Sequence, residues 1–263
     1  MKLSLNGATT MKADLPTDIR AAAAAGFEYV EIWSAKLRKF LAGNSPADLK
    51  ALFAESGVKP LSINSIEHIT FRDAEAYAKI KAECEELCAI AAKIKCPYIV
   101  VVPGKLLPEM TSSSEIIEES VRVLRDLASI AERFGVALAF EFLGEKDCSV
   151  QKLDLADEIV EKVNRPNIGL VIDSFHFYTG GSTIDMIDAM EAKRLLIFHI
   201  DDAEDLPRVF SHPTLLLPIT DSDSNSFGNH DFLQGGLRVF ILGGVADRIR
   251  KVLGRTPPRY PPP

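Results

Sequence analysis

Three apolar runs in this chain each end on a side chain able to hold a metal ion. Ala137-Leu-Ala-Phe leads into Glu141, Gly169-Leu-Val-Ile into Asp173, and Leu195-Leu-Ile-Phe into His199. Carboxylate oxygen and imidazole nitrogen are the donors that a divalent Mn, Zn, Co or Mg ion accepts. Taken singly, Glu141 could form a structural salt bridge and His199 could be a hydrogen-bonded core residue. Their common place at the end of an apolar run points instead to one shared centre. Around them stand further candidates. His176 follows Asp173 by three residues, where an imidazole can take a substrate hydroxyl or serve the structure. Asp201 and Asp202 follow His199 and could accept the other N–H of a ligand imidazole. Glu31 and Trp33 close the run Tyr29–Trp33, and His68 follows the run Pro60–Asn64; these read as pocket wall or as structural residues. Asn6 is a further wall residue, although Asn6 and Asn64 could equally cap helices. The chain contains no G-x-S-x-G and no evident Ser-His-Asp or Cys-His set. Metal and carboxylates without a nucleophile fit proton abstraction beside a carbonyl, or metal-assisted hydrolysis.

Such residues need a scaffold that brings distant strand ends together. Strand-like runs recur at Lys2–Asn6, Tyr29–Trp33, Pro60–Asn64, Tyr98–Val102, Val136–Phe142, Ile168–Asp173 and Leu195–Ile200. Helical stretches lie between them. Asp14-Leu-Pro16 opens one that Gly26 closes, Ser45-Pro46 opens one that Gly57 closes, and Ser112-Ser-Ser-Glu115 opens one that Gly135 closes. Lys79–Lys95 and Asp154–Val163 carry apolar residues at helical spacing. Strand and helix therefore alternate as stacked βα units around a parallel sheet. Leu5-Asn6-Gly7-Ala8-Thr9-Thr10 lacks the glycine-rich phosphate loop usual after the first strand of a doubly wound sheet. Polar residues at several strand ends suit a closed barrel, whose chemistry sits at the carboxyl mouth. The expected fold is an α/β TIM (β/α)8-type barrel.

The net charge of −7 argues against a phosphate-tracking surface and favours a small-molecule partner over nucleic acid. No apolar stretch approaches the roughly 20 residues of a membrane span, and the start does not read as a signal peptide, so a cytoplasmic location is expected. Cys84, Cys88, Cys96 and Cys148 lack the tight spacing of a metal site and read as reduced structural thiols. The rhythm fails near Val209. One strand (Leu237–Leu242) and one short helix (Val245–Leu253) are expected beyond it, with a disordered run from Pro257. Residues 1–208 thus form a core of seven βα units, and 209–263 a divergent, partly disordered segment with an atypical or incomplete eighth unit. A poorly formed last strand would leave open edges on the first and seventh, inviting association into a homo-oligomer.

The text Leu5-Asn6-Gly-Ala-Thr-Thr10, Val30-Glu31-Ile32, Pro60-Leu-Ser-Ile-Asn64, Phe140-Glu141-Phe142, Asp173-Ser-Phe-His176-Phe and Phe198-His199-Ile-Asp-Asp resembles the sugar phosphate isomerase/epimerase family with a xylose isomerase-like TIM barrel. More closely, it resembles the inosose (2-keto-myo-inositol) isomerases of inositol catabolism. The resemblance covers roughly residues 1–208. It implies a divalent metal on Glu141, Asp173 and His199, His176 on a substrate hydroxyl, and a sugar or cyclitol substrate isomerised by proton transfer through an enediolate. Glu141 is then ligand and candidate base. The family's second glutamate belongs to an eighth-strand motif like Ser-Val-Glu-Leu-Phe, and no Glu follows Glu204 here. The only remaining candidates for it past Arg208 are Asp221, Asp223 and Asp231, which sit among Ser, Asn and Gly in loop-like text, Asp247, which falls in the expected helix, and His212 and His230, which follow no apolar run. Two other readings stand beside this one: a metal-dependent DNA-repair endonuclease of the same superfamily, and a catalytically inactive barrel acting as a binding module.

Overall fold

A computed structural model describes residues 2–107, 112–201 and 239–241. Seven strands run parallel and in chain order around a barrel: β1 (Leu3–Asn6), β2 (Tyr29–Trp33), β3 (Lys59–Ile66), β4 (Tyr98–Val101), β5 (Ala137–Glu141), β6 (Ile168–Asp173) and β7 (Leu195–Ile200). An eighth, β8 (Val239–Ile241), closes the ring. The helices are α1 (Leu15–Ala24), α2 (Ser34–Leu41), α3 (Pro46–Ser56), α4 (Ala74–Ile94), α5 (Ser113–Glu132), α6 (Leu153–Val163), α7 (Ser174–Thr179) and α8 (Ile184–Ala189). Among the described residues no helix is long and apolar enough to cross a membrane.

Local chemistry sets these boundaries. Ser45 and Asp48 form a capping box at the start of α3, and Gly57 ends it at φ +74°, a left-handed conformation that glycine adopts without strain. Asp14 and Ser112 cap α1 and α5 as expected. The fourth helix starts at Ala74 rather than near Lys79, because the Asp73 carboxylate accepts the Ala76 N–H and caps it there. The four cysteines are buried as free thiols, and burial pushes the Cys148 thiol up to about 11.

Two apolar layers follow from the period of two along each strand. One layer packs outward-facing residues such as Val30, Ile32, Ile63, Leu138, Phe140, Leu170, Ile172 and Phe198 against the helices. The other fills the barrel's interior with Leu61, Val100, Val102, Ala139, Val171 and Ile197. Ala139, Val171 and Ile197 each lie two residues before Glu141, Asp173 and His199. The apolar plug is therefore the floor on which those polar ends stand.

The barrel's closure differs from what an open-edged seven-strand core would give. β8 runs antiparallel to both its neighbours, pairing Leu3, Ser4 and Leu5 of β1 with Ile241, Phe240 and Val239, and His199 and Ile200 of β7 with Phe240 and Val239. Both edges are covered, so the expected open edges on the first and seventh strands are absent. The reversal also turns β8's carboxyl end away from the mouth that the other seven strands share. The strand expected at Leu237–Leu242 is present in its central residues. The helix expected at Val245–Leu253, the run from Pro257, and the alternative acids and histidines beyond Arg208 lie outside the described residues.

Candidate metal centre

Glu141 ends β5, Asp173 ends β6 and His199 is the penultimate residue of β7. Asp173 and His199 are register partners on adjacent strands, and Glu141 pairs with Val171, two residues before Asp173. All three side chains therefore face the interior at the carboxyl mouth. One donor atom from each lies within 4.8 Å of the others. His199 Nδ1 stands 2.9 Å from Glu141 Oε1 and 3.3 Å from Asp173 Oδ2. All three residues are buried.

So dense a charge cluster has to be neutralised. Burial by itself lowers the basicity of the His199 imidazole. The carboxylates of Glu141 and Glu31, then Asp173, outweigh burial and raise it well above the usual 6.5. Metal-free, those carboxylates favour the protonated form of the ring. Glu141 Oε1 is buried against that ring, with Nδ1 at 2.9 Å. One nitrogen and two carboxylate oxygens converging on one point fit a divalent ion of the zinc, manganese or cobalt type, with positions left for other ligands.

The surrounding structure fixes each member. Asp173 has two tasks: its Oδ1 accepts the backbone N–H of His176 at 2.9 Å, capping α7, while its Oδ2 faces His199. Ser174 then ties the ends of β6 and β7 by donating to the Asp201 carbonyl at 2.7 Å and accepting the Asp201 N–H at 2.8 Å. Of the two acids expected behind His199, the Asp201 carboxylate has its Oδ1 3.0 Å from Ser174 Oγ, and Asp202 lies outside the described residues. The carboxylate facing the ring's other nitrogen is that of Glu31, with Oε2 3.6 Å from Nε2.

His176 stands in helix α7 rather than in a loop, buried, with Nδ1 lacking a hydrogen-bond partner among the described residues and its ring edge-on to Phe175 at 5.4 Å. Gly144 permits that placement, since a Cβ there would come within 2.5 Å of the His176 carbonyl oxygen. Asn6 ends β1 beside Glu31; its Oδ1 accepts the Ala8 N–H at 2.8 Å, while its Nδ2 is buried with no hydrogen-bond partner among the described residues. Asn64 caps no helix and donates to Glu31 Oε1 at 2.7 Å. Trp33 is half-buried at the end of β2, where it precedes α2. His68 is exposed in the segment after β3 at φ +55°. Ser62, buried and donating to Glu31 Oε2 at 2.5 Å, was not among the expected site residues. A serine inside an apolar strand was the available signal; its alignment with Glu31 on the neighbouring strand comes from a register shift and was not.

A model of the family described as "Xylose isomerase-like TIM barrel" matches residues 19–242. The inosose isomerase of Bacillus velezensis is 38% identical over 213 residues, covering 79% of this chain and 74% of that protein. The inosose isomerase of Halalkalibacterium halodurans is 37% identical over 209 residues, covering 79% and 74% respectively. A crystal structure of the IOLI protein with a binding zinc atom superposes with a TM-score of 0.79 at 36% identity, covering 82% of this chain and 78% of that one.

Proposed function

Since the chain belongs to the xylose isomerase-like TIM barrel family, we propose that it is a divalent-metal-dependent isomerase or epimerase acting on a keto-inositol or a ketose. The observation that carries this reading is the convergence of Glu141, Asp173 and His199 at the carboxyl mouth. The inosose isomerase relatives support a cyclitol, and the zinc in the similar crystal structure supports a metal of that type. Bound there, the ion supplies Lewis-acid polarisation of a substrate carbonyl. Asp173 and His199 anchor it. Glu141, whose Oε1 faces His199 Nδ1 at 2.9 Å, is the candidate base for the proton on the carbon beside that carbonyl. His176 Nδ1, with no hydrogen-bond partner among the described residues, takes a substrate hydroxyl and excludes water from it. Asn6, Trp33 and His68 are proposed substrate contacts, with the amide of Asn6 as the inner polar one. A small-molecule substrate is also the partner that suits a cytoplasmic enzyme with a net charge of −7.

A carboxylate on the opposite face of the substrate would complete a two-base transfer. β8 carries Val239, Phe240 and Ile241, and none of them supplies it. We therefore expect weak metal binding and slow turnover, and a binding module without turnover is the second reading that this feature favours. The assay is exchange of the α-proton of 2-keto-myo-inositol with deuterated solvent. Exchange that stops on chelation and returns with zinc or manganese supports the enzyme. Undiminished exchange after exhaustive metal removal refutes the mechanism. Metal binding with no exchange of this or any ketose favours the binding module. Grafting a Ser-Val-Glu-Leu-Phe-type eighth unit onto residues 1–208 should raise both affinity and rate. If the natural chain already matches the graft, then its tail supplies the missing carboxylate.

A further inference from the structure

Glu31 is the buried acid that the proposed chemistry leaves without a task. It has no exposed surface. Among the described residues its side-chain partners are Ser62, Asn64 and His199, and none is a lysine or arginine. The two neutral donors hold its plane: Ser62 Oγ on Oε2 at 2.5 Å and Asn64 Nδ2 on Oε1 at 2.7 Å. A register shift between Val30 and Glu31 makes this possible. Val30 pairs with Pro60, yet Glu31 pairs with Ser62, skipping Leu61. An unshifted ladder would level an apolar leucine with the carboxylate. The shift supplies a hydroxyl there instead, and Asn64, two residues on, shares the same face of the strand.

The remaining direction of the carboxylate is towards the His199 ring, with Oε2 3.6 Å from Nε2. His199 turns its other nitrogen, Nδ1, to Glu141 and Asp173. We propose that Glu31 is a positioning residue for the metal centre, taking the Nε2–H of His199 so that Nδ1 presents its lone pair to the ion. A neutral imidazole carries one proton on either nitrogen, and the acceptor on one side decides which nitrogen is free to coordinate. The chain of contacts is then Ser62 and Asn64 to Glu31, Glu31 to His199, and His199 to the ion. This inference rests on the metal-centre reading above and adds a residue to it.

The test is the affinity of the purified full chain for zinc, measured by competition with a chromogenic chelator, together with the absorption spectrum of the cobalt(II) form. Glu31→Gln keeps the shape and loses the charge, and should weaken zinc binding about tenfold; Glu31→Ala should weaken it up to about a hundredfold. Glu31→Asp should recover part of the loss, which a merely space-filling role would not do. The cobalt bands of Glu31→Gln should shift, since the ligand imidazole becomes a poorer donor. Should Glu31→Ala fail to fold, Glu31→Gln and Ser62→Ala carry the test, the latter with a loss of a few-fold. If the natural chain binds no zinc, the metal-centre reading fails and this inference with it. If the natural chain binds zinc and Glu31→Gln binds it within twofold with unchanged cobalt bands, the centre stands and the role given to Glu31 is wrong.

Discussion

From β5 to β7 the barrel consists of parallel strands that deliver one polar side chain apiece to the mouth. From β7 round to β1 it is closed by three residues running the other way. Both arcs complete the hydrogen-bonded ring, because backbone pairing is satisfied in either direction. Only the first arc positions chemistry. A parallel strand ends at the mouth, and whatever follows its apolar run is delivered there; an antiparallel one ends at the opposite face. Closing a barrel and furnishing its site are thus separable tasks.

If that separation is right, the ligand arc should dominate every measurement of function. His199→Ala should abolish stoichiometric zinc binding and lower α-proton exchange about a thousandfold, the scale of several kcal/mol of lost polarisation. Exchange that survives in this variant would break the comparison at once. Next in size, His176→Asn should lower exchange about a hundredfold while zinc affinity stays within threefold, since His176 is assigned to substrate and not to metal. A large fall in affinity would instead make His176 a ligand.

A smaller effect is expected with pH. The metal-free protein has a His199 pKa raised well above 6.5, so the ion must displace its proton. Apparent zinc affinity should rise by about tenfold per pH unit while pH is below that raised value, then level off. The stability contribution has the opposite sense. Because the folded value is the raised one, the imidazolium stabilises the metal-free fold fully below 6.5 and ceases to do so as pH climbs through the raised value. Thermal midpoints of chelator-treated protein across that range should show the decline, and His199→Gln should flatten it. The smallest effect belongs to the closing arc. Phe240→Pro removes a backbone donor from β8 and should cost about 1 kcal/mol, with zinc affinity changed less than threefold. A collapse of metal binding in this variant would show that β8 shapes the site after all.

The same division governs how much could be read from the residues alone. The seven parallel strands announce themselves because each is a buried apolar run with punctuation at both ends, and Glu141, Asp173 and His199 stand out as the interruptions. The polarity of β8 was illegible, since an apolar triplet has the same period in either direction and its partners are some 40 and 230 residues distant. The short helices α2, α7 and α8 escaped notice for a related reason: six to eight residues hold too few turns for a face to emerge from the pattern. Glu31 was visible as a strand-end acid, but its partners were not. Ser62 and His199 reach it across the barrel and through a register shift, and neither relation leaves a local trace.

Asp173 divides its two oxygens between a helix start and the metal centre, and this constrains how the protein can change over generations. Most substitutions that alter the donor also alter the cap that orients His176, so the two functions are hard to change independently. Lengthening the side chain to glutamate moves both oxygens at once. Neutralising it to asparagine leaves an oxygen for the cap and removes the charge. Variants selected for a different metal should therefore arise with compensating changes near His176, and single steps through position 173 should be rare. A double-mutant cycle between Asp173 and His176, read in α-proton exchange, should be strongly non-additive.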